Sequence, residues 1–357
     1  MFKKSFIALA MKVLLVALIV TSGAFGVHPV KAQAKTYKIA LSVPGLNFPF
    51  FVIMAKQFQD EAKKLGDVTV DVFDGRDDTA KQTADLESII AQKYDGLVVS
   101  PRDAVAMQPA VKEVVDAKIP VITVDRKLDD ATLSFAHVGA DNVMGGREQG
   151  WYIMKMFPKG AVIFNLLGTP GASPAIDRAK GLHEVLDPHP EYKIVAEQTG
   201  NFKRDDGNKV AEAMLSAQPN PPDVINAAND DMALGVIEAL KGKNLNGKVA
   251  VIGFDAITES LQAIMKGDQT ADIDQFPGAQ SATALDMLEA FLTKGTKPAQ
   301  HDTFLPPVLI DKNNLPCAAF FGELQAAIAT QSAAAGGTPP AIPTVDKSLC
   351  APLTAPK

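Results

Sequence analysis

The chain has 357 residues, 47 % hydrophobic and 21 % charged. At roughly 150 residues per domain this predicts two domains and a sizeable buried core, and it excludes a small disulfide-stapled scaffold. The 35 Lys and Arg against 41 Asp and Glu give a formal net charge of −6, and their scatter excludes nucleic acid as a partner on electrostatic grounds. Two Cys and five His are too few and too dispersed for a tetrahedral zinc site or an iron–sulfur cluster, and no cofactor is expected.

The first predicted element is an export address. Met1 to Ala34 carries Lys3, Lys4 and Lys12, no acid, and an uncharged apolar run from Val13 to Val27. That run has 15 residues, short of the roughly 20 that span a bilayer. Ala32-Gln33-Ala34 supplies a small-x-small cleavage site, so the segment reads as a signal peptide cleaved after Ala34. An uncleaved anchor is the alternative, against which Lys12 breaks the longer apolar stretch. No Cys lies near enough to take a lipid. Cleavage removes four lysines and no acid, moving the net charge from −6 to −10. Export also permits a disulfide, for which Cys317 and Cys350 are the only candidates; two free thiols are the open alternative.

From Tyr37 onward, short β-rich runs alternate with amphipathic helical patterns, the signature of an α/β fold with parallel sheets. The first half predicts strands at Ile39–Val43, Val68–Phe73, Gly96–Val99 and Val121–Val124. Helices at Phe51–Leu65, Thr79–Gln92 and Ala104–Ala117 separate them, and the last strand ends in Asp125-Arg126. A second pass repeats the order, with strands at Ala161–Leu167, Lys193–Gln198, Val224–Ala227 and Val249–Gly253. Its helices fall at Pro174–Leu186, Asn208–Ala217 and Met232–Lys241, and it ends in Phe254-Asp255. The repeated order predicts two similar three-layer α/β/α lobes rather than one large sheet.

In open parallel sheets, ligands bind where the strands end at their C-terminal edge. The loops there contain Asn47-Phe48-Pro49-Phe50-Phe51, Asp125-Arg126, Phe202, Asn229 and Phe254-Asp255. They are rich in Asp, Asn, Arg and Phe. A sugar offers adjacent hydroxyls, each donor and acceptor, together with apolar C–H faces; fixed carboxylates, amides and guanidinium forks pair with the hydroxyls while aromatic rings cover the faces. Arg126 and Arg178 each present such a fork, and Asp125 and Asp255 stand at matching strand ends of opposite halves. Helix capping or a surface ion pair is the plainer reading of any one such Asp, and core packing that of at least one of Phe50 and Phe51. Ser173 reads as a helix N-cap followed by Pro174 at the first helical position. Trp151 reads as core, and His137, His183, His189 and His301 are not paired at ligand spacing. No nucleophile elbow, zinc-protease motif, Walker loop or dinucleotide fingerprint occurs, so the chain is not expected to be an enzyme. A glycosidase pair of Asp125 and Asp255 is disfavoured because Arg126 beside Asp125 predicts an ionised carboxylate there.

Over roughly Tyr37 to Val308 the chain resembles the periplasmic sugar-binding proteins of the ribose-binding type, whose core is shared with lactose-repressor-like regulators. The motifs that carry this are LNFPFF (Leu46–Phe51), PVITVDR (Pro120–Arg126), GADNVMGG (Gly139–Gly146), GASPAIDRAKG (Gly171–Gly181), NDDMALG (Asn229–Gly235), VIGFD (Val251–Asp255) and DQFPG (Asp274–Gly278). The resemblance implies the type I periplasmic binding protein fold, with two lobes joined by a three-crossing hinge near Gly139-Ala140, Phe276-Pro277 and Pro306-Pro307. It divides the chain into a signal peptide at 1–34, an N-terminal lobe at 35–139 plus 277–306, a C-terminal lobe at 140–276 plus 307–325, and an Ala/Pro-rich tail at 326–357. It implies ligand contacts at Asn47, Phe48, Phe50, Phe51, Asp125, Arg126, Arg178, Phe202, Asn229, Phe254, Asp255 and Gln275. The implied function is capture of a monosaccharide, pentose or hexose, by a periplasmic monomer that delivers it to the permease of an ATP-driven (ABC) importer. Presentation of the sugar to a chemoreceptor or sensor kinase is the alternative. Two features depart from the pattern. Phe48 stands where ribose binders resemble one another in having Asn, and GASPAIDR resembles relatives that take hexoses in furanose form. The second departure is the tail, which has no counterpart; its composition predicts a flexible or extended segment pinned by Cys350.

Overall fold

Residues 35–334 and 347–355 are described by a computed structural model; the expected signal peptide and residues 335–346 and 356–357 of the tail lie outside the described residues. The first half runs β1 (Tyr37–Val43), α1 (Pro49–Leu65), β2 (Val68–Asp74), α2 (Thr79–Ala91), β3 (Gly96–Val99), α3 (Gln108–Asp116), β4 (Val121–Val124) and β5 (Ala136–Ala140). The second runs α4 (Asn142–Met156), β6 (Ala161–Leu167), α5 (Ser173–Leu186), β7 (Tyr192–Thr199), α6 (Arg204–Ala217), β8 (Val224–Ala227), α7 (Asp230–Gly242), β9 (Ala250–Ile252), α8 (Thr258–Lys266) and β10 (Ala271–Asp274). Then follow α9 (Pro277–Lys294), β11 (Asp302–Leu305), β12 (Val308–Asp311) and α10 (Phe321–Ala334).

Two six-stranded sheets result, ordered β2-β1-β3-β4-β5-β11 and β7-β6-β8-β9-β10-β12. All pairings are parallel except β12 against β10. Their central strands are buried without alternation, as strands covered by helices on both faces must be. Successive residues still point to opposite faces. Ile39, Leu41 and Val98 pack with Met54, Phe58 and Leu288 of α1 and α9, whereas Ala40, Leu97 and Val99 pack with Leu86, Ile89 and Val111 of α2 and α3. In the second sheet Ile163 and Ile252 meet Ile153, Leu182 and Leu186, and Phe164, Leu166 and Val251 meet Met214, Met232 and Val236. The α4 and α5 helices touch at Gly146, where a Cβ would stand 2.1 Å from the Arg178 carbonyl oxygen, so only glycine permits that approach. The chain changes sheet three times, between β5 and α4, between β10 and α9, and through Pro306-Pro307 between β11 and β12.

Several helix starts differ from expectation, each for a local reason. Helix α3 begins at Gln108, because Asp103 accepts from the Val105 and Ala106 N–H groups and makes 104–107 a turn. Helix α7 begins at Asp230, because Asn229 caps it by accepting from the Met232 N–H. Helix α6 begins at Arg204, with Asp205 and Asp206 in its positive first turn. Ser173 is not the cap of α5: it is the first helical residue, and its hydroxyl accepts from the Lys127 N–H of the other lobe at 2.9 Å. Trp151 is half-buried against the α4 and α5 core.

The tail also differs where it is described. Residues 326–334 belong to α10, whose Leu324 and Ile328 pack beside Leu261 and Ile264 of α8. Cys317 and Cys350 are disulfide-bonded. Beyond them the Leu353 N–H donates to Glu148 Oε1, and Asn314 donates to both the Leu309 and Leu349 carbonyls. The last described residues thus cover α4 and β12 instead of extending away.

Candidate ligand-binding site

The C-terminal ends of the two sheets face each other across one small cavity, in the crevice where open parallel sheets bind ligands. It is lined by Phe48, Phe50, Phe51, Asp125, Arg126, Pro174, Arg178, Phe202, Asn229, Asp255 and Gln275. Ten of the twelve expected contacts therefore converge on it. Asn47 does not; it lies exposed in the turn before α1. Phe254 does not either, being fully buried behind Arg178 with its ring 3.5 Å from the guanidinium carbon. Pro174 joins the lining although its sequence reading was purely helical.

The first lobe supplies a wall and a fork. Pro49 sets the first turn of α1, which holds Phe48, Phe50 and Phe51 edge to face, with centroids 6.3 Å and 5.2 Å apart. Both Phe50 and Phe51 are buried and yet face the cavity. Arg126 spans the lobes, its guanidinium carbon 5.4 Å from the Phe51 centroid and 5.6 Å from that of Phe202. It donates to the Arg102 carbonyl at 3.1 Å. Asp125 follows β4 with φ 60° and accepts from the Ser100 hydroxyl at 3.2 Å.

The second lobe supplies a denser polar network. Arg178 of α5 donates to Asn142 Oδ1 at 2.8 Å and to the Ala228 carbonyl at 2.6 Å, and its Nη1 lies 3.7 Å from Asp255 Oδ1. Asp255 follows β9 with φ 115° and accepts from the Gln275 amide at 2.6 Å; Gln280 in turn donates to the Gln275 carbonyl. Asn229 donates to the Phe202 carbonyl at 3.2 Å, fixing the ring that faces Arg126. The sequence places Ser100 in a strand-end loop and Asn142 in the GADNVMGG motif without assigning either a role in the site, and it gives no signal for Gln280. Their role is visible only through partners 25, 36 and 5 residues away.

Burial dominates the electrostatics. Asp125 is 4 % and Asp255 5 % exposed, and desolvation raises both carboxyls above the ordinary range, Asp255 well above it, despite the opposing pull of Arg126 and Arg178. The expectation that Arg126 prevents a raised carboxyl at Asp125 is therefore corrected: the Arg126–Asp125 contact is 3.9 Å long, too weak to offset dehydration. Burial likewise lowers Arg178, and Arg126 to about 10, which leaves Arg126 cationic at neutral pH.

Direct contacts also bridge the two lobes. The Ala104 N–H donates to the Gly171 carbonyl at 2.9 Å, Lys127 pairs with Asp177 at 2.8 Å, and Lys203 pairs with Asp77 at 2.5 Å. Gly171 has φ +82°, and a Cβ there would stand 2.0 Å from Asp103 Oδ2, so both backbone and space demand glycine.

Comparison with known proteins matches residues 39–297 to the periplasmic binding protein domain. The ribose import binding protein RbsB of Bacillus subtilis (strain 168) is 37 % identical over 244 residues, 68 % of this chain and 77 % of that protein. The galactofuranose-binding protein YtfQ of Escherichia coli (strain K12) is 35 % identical over 247 residues, 67 % of this chain and 77 % of its own. Among solved structures, the Caulobacter myo-inositol binding protein bound to myo-inositol superposes with a TM-score of 0.77 at 40 % identity, covering 82 % of this chain and 98 % of that one. The fold, the facing strand ends and these matches together establish that the chain belongs to the periplasmic binding protein domain family.

Proposed function

We propose that this chain is the periplasmic substrate-binding component of an ATP-driven importer, that it binds one neutral monosaccharide or cyclic polyol between its lobes, and that residues 1–34 direct its export. The observation that carries the reading is the convergence of Asp125 and Arg126 from one sheet and Arg178 and Asp255 from the other, between aromatic walls, in a single small cavity. Guanidinium donors and carboxyl oxygens stand side by side in this cavity, and adjacent hydroxyls, each both donor and acceptor, satisfy the two kinds of group alike. Among the described residues no group of three or more His, Cys, Asp or Glu could hold a metal ion. The ten lining residues expected from sequence are the proposed ligand contacts, with Asn47 and Phe254 in supporting positions.

The three sheet-to-sheet crossings serve as the hinge, dividing the lobes near residues 140, 276 and 306. A ligand touching both lobes binds the closed form better and so shifts the population toward it. The importer then reads the surface that only the joined lips present. Relatives named as import proteins support transport over sensing. The match to a myo-inositol complex adds that cyclitol to the pentoses and hexoses to be tried. Isothermal titration of the mature chain against pentoses, hexoses and cyclitols tests the reading. Saturable one-to-one binding of one of them is expected; no binding of any at millimolar concentration overturns it.

A further inference from the structure

Asp255 stands on a backbone that needs support. Asp255 and the following Ala256 both take left-handed φ values, 115° and 52°, a conformation unfavourable to residues with a Cβ. Two carboxyl groups grip this turn from behind the cavity. Asp230, in the first turn of α7, accepts from the Ile257 N–H at 2.8 Å through Oδ2. Asp272, in β10, accepts through Oδ1 from the Ala256 N–H at 3.1 Å and the Ile273 N–H at 2.8 Å. Gln269 donates to Asp272 Oδ2 at 2.9 Å while its own oxygen accepts the Ser260 hydroxyl. Both aspartates are fully buried and within hydrogen-bonding reach of each other.

The remaining oxygen, Asp230 Oδ1, meets no donor from any described residue. It lies over Gly253, where a Cβ would stand 2.3 Å from it and 3.2 Å from Asp272 Oδ2. Two acceptor oxygens facing each other away from water repel unless a proton lies between them. We propose that Asp230 carries that proton and donates it to Asp272, and that this acid–carboxylate pair is the positioning element that presents Asp255 to the cavity. The asymmetry follows from the donors: three N–H groups already point at Asp272, whereas Asp230 has one N–H and the Ser260 hydroxyl near it. Burial raises the proton affinity of both groups. The charged groups that face the pair are Asp255, which raises it further, and the Arg178 guanidinium; Ser260 and Gln269 are neutral. When the proton leaves at alkaline pH, two buried carboxylates share one dry site and the turn loses its grip.

The inference rests on the reading of Asp255 as a ligand contact, so the experiment has arms with and without ligand. In the infrared difference spectrum of wild type minus Asp230→Asn at neutral pH, a carboxylic-acid carbonyl band is expected. Asn at 230 supplies an N–H in place of the O–H, so Asp230→Asn is expected to melt near the wild-type temperature and to show a flatter fall in stability as pH rises; Asp230→Ala is expected to melt lower. With myo-inositol and D-ribose as probes, wild-type affinity declines at alkaline pH, approaching about tenfold per pH unit once the pair ionises, and Asp230→Asn recovers most of what Asp230→Ala loses. An absent acid band, or an Asn variant as damaged as the Ala variant, overturns the pair. If neither probe nor any other sugar binds wild type, the ligand reading fails, and the infrared and melting arms still decide the pair.

Discussion

Each lobe ends its fourth strand in an aspartate held in the left-handed region, Asp125 after β4 and Asp255 after β9, yet the two are supported differently. Asp125 leans on a single hydroxyl and shares its lobe with three phenylalanines and Arg126. Asp255 sits in a web of Gln275, Arg178 and the carboxyl pair of Asp230 and Asp272. Topology thus decides where an acceptor stands, and the packing behind it decides how firmly and with what proton affinity. The first lobe works as a stiff apolar wall, and the second as a polar lattice in which each member depends on the next.

The largest expected effect tests that dependence. Arg178→Ala strips the partners from Asp255, Asn142 and the Ala228 carbonyl at once and should cost about 3–5 kcal/mol of folding stability, with loss of sugar binding; chemical denaturation and titration calorimetry check both. Asp125→Ala removes an acceptor with fewer dependants, and about 2–3 kcal/mol of binding free energy should go while the melting temperature changes little. Equal stability losses in the two variants would erase the contrast between the lobes.

A pH profile sharpens the comparison at the base of the second lobe. Glu148 is fully buried, and desolvation raises it to about 8. A folded-state value above the unfolded one means that the native protein holds the extra proton: stability is full below about pH 4.5 and lost as pH rises toward 8. Glu148→Gln should remove on the order of 2 kcal/mol of that decline, read as melting temperature against pH. The smallest effect belongs to the rim. Lys127→Ala breaks a half-exposed pair with Asp177 and should weaken binding by under about 1 kcal/mol, since the Lys127 N–H bond to Ser173 persists.

Much of this was legible in the chain. The strand-end aspartates, the arginines and the Phe loop follow from parallel-sheet geometry together with residue chemistry, and ten expected contacts line the cavity. What escaped were relations that only folding creates. Phe254 reads like its neighbour Asp255 but turns into the core as a platform for Arg178. Ser173 looks like a cap and instead bonds across the lobes. Arg126 beside Asp125 suggests an ionised carboxylate, and only burial reveals the opposite shift. The tail composition hid a helix, because alanine-rich sequence carries little directional signal of its own, whereas the Cys317–Cys350 bond is one of the two alternatives the sequence left open.

The short link from β11 to β12 acts as a caliper. Leu305 pairs with Ala140 at the C-terminal end of β5, and Val308 pairs with Asp274 at the C-terminal end of β10. Three residues of extended chain span at most about 10 Å. On that side, then, the two edges cannot part by more than this distance, whatever the rest of the molecule does. The lobes can separate only as covers turn about a spine, with the widest gap opening at the far rim where Gly171 meets Ala104.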